Sequence, residues 1–146
     1  RGYALVLVSN QAGVARGLMT EQDVESFNAV LYNMLRTSLI EFDGNYYCPH
    51  HSQYGQGVYR VDCDCRKPKP GMLLEAATHL GLDLGSSWIV GDRMSDVQAG
   101  WNAGTRSILV ETGYGKNELE RRSDWDRQPD AICPDLGQAL RLILGQ

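Results

Sequence analysis

Phenylalanine occurs twice in this chain, histidine three times and cysteine four times. No apolar run approaches the roughly 18 residues that a membrane-crossing helix needs, which excludes a helical span. Basic charge is also short: 14 Lys and Arg against 18 Asp and Glu leave a formal charge of −4 and a pI near 5.3. No overall field draws such a chain to nucleic acid or to an anionic membrane, so neither partner is expected. Internal repeats and low-complexity tracts are absent. What remains, 42% hydrophobic and 22% charged over 146 residues, is ordinary for one globular domain with a substantial core. A single soluble domain over residues 1–146, monomeric, is the expectation.

The few cysteines are unevenly placed. Cys48, Cys63 and Cys65 fall within the stretch CPHHSQYGQGVYRVDCDCRKPKP, together with His50 and His51. A soft-ligand pair, Cys48 and His50, is followed by a second, Cys63 and Cys65. Three thiolates and one imidazole form a closed tetrahedral set for Zn2+, with no open position for water, so the ion would staple the loop over residues 48–65 structurally. His51 can replace His50 in that set, and a disulfide or free buried thiols are the competing readings. The Gly- and Tyr-containing segment between the pairs has no hydrophobic periodicity of its own, which favours a metal. Cys133 stands alone, and this usage suits a reducing, cytoplasmic compartment.

Along the chain, strand and helix patterns alternate. Ala4 to Val8 is a continuous apolar run of the kind buried in a parallel sheet. Thr20 and Asp23 mark a helix start, and Val24, Phe27, Val30, Leu31, Met34 and Leu35 recur at helical spacing to near Ile40 or Phe42, with Phe27 and Met34 expected in the core. Asp43-Gly44 reads as a turn, Asn45 to Cys48 as extended. Gly71 to Leu80 reads as a helix with Leu73, Leu74 and Ala77 inward, Trp88 to Val90 as a strand, and Ser95 as the cap of a helix through Ala103. Ser107 to Val110 is a further strand. Residues 116–130 read as a solvated loop or frayed helix, Ala131 to Cys133 as an edge strand, and Asp135 caps a last helix through Leu144. The class is α/β, Rossmann-like, with a mostly parallel sheet covered by helices on both faces.

Ligands of open α/β sheets bind at the carboxyl ends of the strands. Ser9 and Asn10, Lys67, and Asp92 with Asp96 all belong to segments at such ends. A hydroxyl, an ammonium and a carboxylate gathered there suit a phosphate with Mg2+, since Lys neutralises oxygens and a carboxylate holds a hard cation. Separately, Asp92 and Asp96 could be no more than a helix cap and a surface acid.

The ordered segments VLVSN, RKPKPGM and IVGDRMSD, with the C-x-H and C-x-C pairs before RKP, resemble the second, third and fourth motifs of the haloacid dehalogenase-like (HAD) phosphatases. Within them the chain is similar to phosphatases of heptose bisphosphates and, less closely, to histidinol-phosphate phosphatases. The resemblance implies Mg2+-dependent removal of a sugar phosphate, most closely the 7-phosphate of a heptose 1,7-bisphosphate, with a small-molecule sugar phosphate as partner. It implies catalytic roles for Ser9 and Lys67, substrate contacts for Asn10, Gln11, Arg16, Arg66 and Arg93, Asp92 as the Mg2+ ligand and Asp96 as its support, besides Cys48, His50, Cys63 and Cys65 on Zn2+. The family's first motif, an Asp-x-Asp strand carrying the nucleophile, has no match before Ser9. Together with Gly2, which resembles a helix C-terminal cap, this leads to the expectation that an N-terminal strand and helix precede the sequence. Without that strand the chain would be inactive, and a non-catalytic zinc-bearing binding module is the reading from another class.

Overall fold

The computed structural model describes residues 2–146; Arg1 lies outside them. Its strands are β1 (Val6–Asn10), β2 (Gly44–Cys48), β3 (Trp88–Gly91), β4 (Arg106–Val110) and β5 (Ala131–Cys133), and its helices α1 (Ala12–Ala15), α2 (Glu21–Arg36), α3 (Gly71–Leu80), α4 (Met94–Ala103), α5 (Gly115–Glu120) and α6 (Leu136–Leu144). All strand pairing among the described residues is parallel: β1 with β2 in one sheet, and β3-β4-β5 in order in a second. This is the Rossmann-like α/β architecture with flanking helices.

Burial is concentrated in the second sheet. Ile108, Leu109 and Val110 of β4 are buried, and two apolar clusters form around that strand. One joins Ile108, Val110, Cys133 and Ala139. The other joins Met94, Val97 and Leu109, with Trp101 and Trp125 against it. In the first sheet every β1 residue is only half-buried.

Helix boundaries follow their caps. Thr20 and Asp23 form a reciprocal capping box at the start of α2, as the sequence implies. Gly81, Gly104 and Gly145 close α3, α4 and α6 in the left-handed conformation.

Several expectations are corrected. α2 ends at Arg36, and Phe27 and Met34 are each 66% exposed, because the buried side of the helix runs through Val24 and Asn28. In α3, Met72 and Ala76 take the inward positions while Leu74 is exposed. Gly44 opens β2, and Ser9 and Asn10 end β1 without forming a loop; the loop after them contains the short α1. Arg93, not Ser95, is the N-cap of α4. Of the loop and frayed-helix readings of 116–130, the helix is found over its first residues, as α5 from Gly115 to Glu120.

Candidate phosphate-binding corner and metal cluster

Lys67 is the hub of the site. It follows β2 through the 48–65 loop, and its ammonium donates to the Val8 carbonyl of β1 at 2.8 Å and pairs with Asp96 Oδ1 of α4 at 2.7 Å. Lys67 and Asp96 side chains are each only 10% exposed. Two of the three ammonium protons are thus engaged, and the third is left for a further acceptor.

The main chain of Lys67 is held as firmly. Asn10 Nδ2 donates to the Lys67 carbonyl and Asn10 Oδ1 accepts the Lys67 N–H, both at 3.1 Å. Both ends of the Asn10 amide are therefore used to hold Lys67. Gln11 Nε2 donates to Ser9 Oγ at 3.3 Å, which orients the hydroxyl, and the Gln11 N–H donates to Cys48 O at 2.8 Å.

Asp96 and Asp92 are set by their neighbours. Asp96 Oδ2 accepts the Arg93 N–H at 3.0 Å, closing the first turn of α4, and any side chain at Gly91 would overlap Asp96. Asp92 Oδ2 accepts the Tyr114 N–H at 2.9 Å from the loop after β4. Gly113 there has φ +61 and lies so close that a Cβ would strike the Asp92 carboxylate. Among the described residues the other Asp92 oxygen has no hydrogen bond and no cation within ion-pair distance.

The four expected zinc ligands come together: one donor atom each from Cys48, His50, Cys63 and Cys65 lie within 4.8 Å of one another. The sulfurs are 2.9 to 3.4 Å apart, and His50 Nδ1 is 3.4 Å from Cys65 Sγ. Zn–S bonds of about 2.3 Å in a tetrahedron put sulfurs roughly 3.8 Å apart, so the set fits such an ion with a small outward shift. His51 is engaged elsewhere, its Nδ1 accepting the N–H groups of Gln53 and Tyr54 at 3.2 Å, and His50 is the histidine that lies in the cluster. All four cysteines are free. Burial pushes the Cys48 thiol up, and burial with the neighbouring sulfurs pushes Cys65 up. At Cys63 burial opposes ionisation, but hydrogen bonds from Cys65 and Cys48 bring the thiol down overall.

The cluster is tied to both sides of the corner. Cys65 directly precedes Arg66, whose Nη1 donates to His50 O at 3.0 Å, and Arg66 precedes Lys67. The loop tip lies over α1: Gln56 N–H donates to Ala15 O at 3.0 Å, and the Arg16 guanidinium sits 4.9 Å from the Tyr54 ring centre. Sequence reasoning missed Glu21, whose two oxygens accept Tyr47 OH at 2.9 Å and Tyr59 OH at 2.8 Å, joining α2 to β2 and the loop. Burial and then this bond push the Tyr47 hydroxyl up to about 12. The Tyr114 ring centre lies 3.6 Å from the guanidinium carbon of Arg93. A cavity of about 420 Å3 beside α2, lined by Val14, Leu18, Glu21 and Tyr59, contains none of the phosphate-corner groups.

A parallel α/β sheet presenting hydroxyl, ammonium and carboxylate at its carboxyl edge defines a phosphate-handling hydrolase scaffold. The model of the family described as HAD-hydrolase-like matches residues 64–139. The D-glycero-beta-D-manno-heptose-1,7-bisphosphate 7-phosphatase of Vibrio cholerae is 48% identical over 113 residues, 77% of this chain and 61% of its own length. The Escherichia coli protein of that name is 43% identical over 96% of this chain and 73% of its own length. The chain thus spans about three fifths to three quarters of these relatives. Among solved structures, a D,D-heptose 1,7-bisphosphate phosphatase from B. bronchiseptica, complexed with magnesium and phosphate, superposes with a TM-score of 0.84 at 30% identity, over 97% of this chain and 74% of that one. One from Burkholderia thailandensis shares the fold, with a TM-score of 0.70 at 23% identity, over 99% of this chain and 77% of that one. The chain belongs to the haloacid dehalogenase-like hydrolases, as a phosphatase closely related to the heptose-bisphosphate enzymes.

Proposed function

We propose that the protein catalyses Mg2+-dependent phosphomonoester hydrolysis, removing the 7-phosphate of D-glycero-D-manno-heptose 1,7-bisphosphate. The observation that carries this reading is the Lys67 ammonium, fixed between Val8 O and Asp96 with one proton to spare, in a chain 43% identical to a phosphatase of that name over 96% of its length. Lys67 neutralises the transferring phosphoryl group and Ser9 donates a hydrogen bond to it, both preorganised before substrate arrives. Asp92 would hold Mg2+, which when bound supplies positive charge to the phosphoryl oxygens. Arg16 and Arg66, on the loop side, and Arg93, beyond Asp92, contact the remainder of the substrate. Asn10, Gln11 and Asp96 fix Lys67 and Ser9.

The nucleophile in this proposal is an aspartate on a further strand. The outer edges of β1 and β3 pair with no strand among the described residues, and Lys67 bridges from Val8 in β1 to Asp96 beside Gly91 in β3. An Asp-x-Asp strand seated between them would join the two sheets at the usual spacing of about 4.8 Å and bring its carboxylate to Lys67. That carboxylate attacks phosphorus to form an aspartyl-phosphate as the sugar alkoxide leaves. The second aspartate protonates the alkoxide and then activates the water that releases phosphate. Cys48, His50, Cys63 and Cys65 hold a structural Zn2+ in the same single domain. Free thiols suit a reducing, cytoplasmic setting, and the protein acts as a monomer.

The test is phosphate release by the full protein from the heptose 1,7-bisphosphate and from histidinol phosphate, with and without Mg2+. The expected result is Mg2+-dependent release favouring the bisphosphate, reduced about 10²- to 10³-fold in Lys67→Ala. A preference for histidinol phosphate, or full turnover in Lys67→Ala, would reject the reading.

A further inference from the structure

Resting on that reading, one residue at the corner does more than line it. Arg93 is exposed, and among the described residues no carboxylate lies within ion-pair distance of it. Its guanidinium carbon instead lies 3.6 Å from the centre of the Tyr114 ring. A guanidinium stacked on an aromatic face keeps its N–H edge free to donate, while the ring removes much of its rotational freedom. The same Tyr114 donates its backbone N–H to Asp92 Oδ2 at 2.9 Å. Tyr114 therefore grips two consecutive residues by two means, the carboxylate through its main chain and the cation through its ring, and sets their relative placement.

The charge balance at the corner says what Arg93 is for. Asp96 offsets the charge of Lys67, which serves the reacting phosphoryl group, and of the three arginines placed around the remainder of the substrate Arg93 is the one adjoining Asp92. A substrate with two phosphates needs a separate cation for the one that is not cleaved. We infer that Tyr114 is a specificity-positioning residue that holds Arg93 for the non-reacting anionic group of the substrate. The hydroxyl of Tyr114 has no part in this; the ring face does.

The experiment compares Tyr114→Ala, Tyr114→Phe, Arg93→Ala and the double variant Tyr114→Ala/Arg93→Ala in the full protein, with the heptose bisphosphate and with p-nitrophenyl phosphate, which carries no second anion. Tyr114→Ala should raise KM for the bisphosphate roughly threefold to tenfold with kcat within about twofold, and leave KM for p-nitrophenyl phosphate unchanged. Tyr114→Phe should behave as wild type, and the double variant should match Arg93→Ala alone. An unchanged KM in Tyr114→Ala, equal losses in Tyr114→Phe and Tyr114→Ala, or additive effects in the double variant each overturn the inference while leaving the proposed reaction standing. Failure of the wild type to act on the bisphosphate overturns both.

Discussion

The two sheets are held together by different physics. β3, β4 and β5 are packed by apolar side chains, with Ile108 and Leu109 fully buried and Val97 and Ala139 against them. β1 and β2 have no comparable cluster among the described residues, and polar devices take its place: the Cys48, His50, Cys63 and Cys65 group, the Glu21 clamp on Tyr47 and Tyr59, and the Asn10 amide locked on Lys67. Apolar burial is non-directional and tolerant of small shifts, whereas a four-donor cluster fixes direction to within tenths of an ångström. The half that carries the Lys67 ammonium is the half built from directional contacts. Lys67 is where they meet, with Val8 on one side and Asp96 on the other.

Removing the proposed zinc should break this comparison most severely. Structural Zn2+ contributes on the order of 10 kcal/mol in small sites, so Cys63→Ser, or chelation, should abolish bound zinc and strip amide-exchange protection from β1, β2 and the 48–65 loop. Protection in β3 to β5 should persist; equal loss in both halves would show that they are one cooperative unit, and unchanged zinc content would refute the ligand set. The converse is Leu109→Ala, which should cost about 2 to 5 kcal/mol through a cavity under β4. Urea unfolding should register the loss while zinc stoichiometry stays at one; a loss of zinc would mean that the halves are less separate than their packing indicates.

The smallest effect concerns the main polar strap of the second sheet. Asp130 Oδ2 accepts Ser107 N–H at 2.7 Å and Ser107 OH at 2.9 Å. Partial burial opposes its ionisation, but the Ser107 bonds outweigh this and hold the carboxyl below its usual value of 3.8. A carboxylate with a depressed folded value contributes stability that is fully present above 3.8 and lost as pH falls through the folded value. Asp130→Asn should therefore lower Tm modestly at neutral pH, and the difference from wild type should shrink as pH falls below about 4. An acid limb identical to wild type would remove Asp130 from that role.

Much of the site was legible because its residue types are rare and close together in sequence. Cys48, Cys63 and Cys65 with a nearby histidine name a soft-metal set before any coordinates, and Ser9, Lys67 and Asp92 each follow a strand pattern or a recognised motif. His50 could not be told from His51, since the choice depends on which ring points into the cluster and which caps a turn. The α2 stripe was legible as a stripe, but periodicity does not say which edge of it meets the sheet, so Phe27 and Met34 were placed on the wrong side.

The sequence by itself determined the element order, the α/β class and the chemical types gathered at the strand ends, because these depend on local patterning and on side-chain identity. Only the tertiary structure decided the partners of Lys67, which lie 59 residues before it at Val8 and 29 residues after it at Asp96. Likewise only the fold brought Tyr114 onto Arg93 and Asp92. Contacts of that range are made by strand order and crossover connections, and no local pattern carries them.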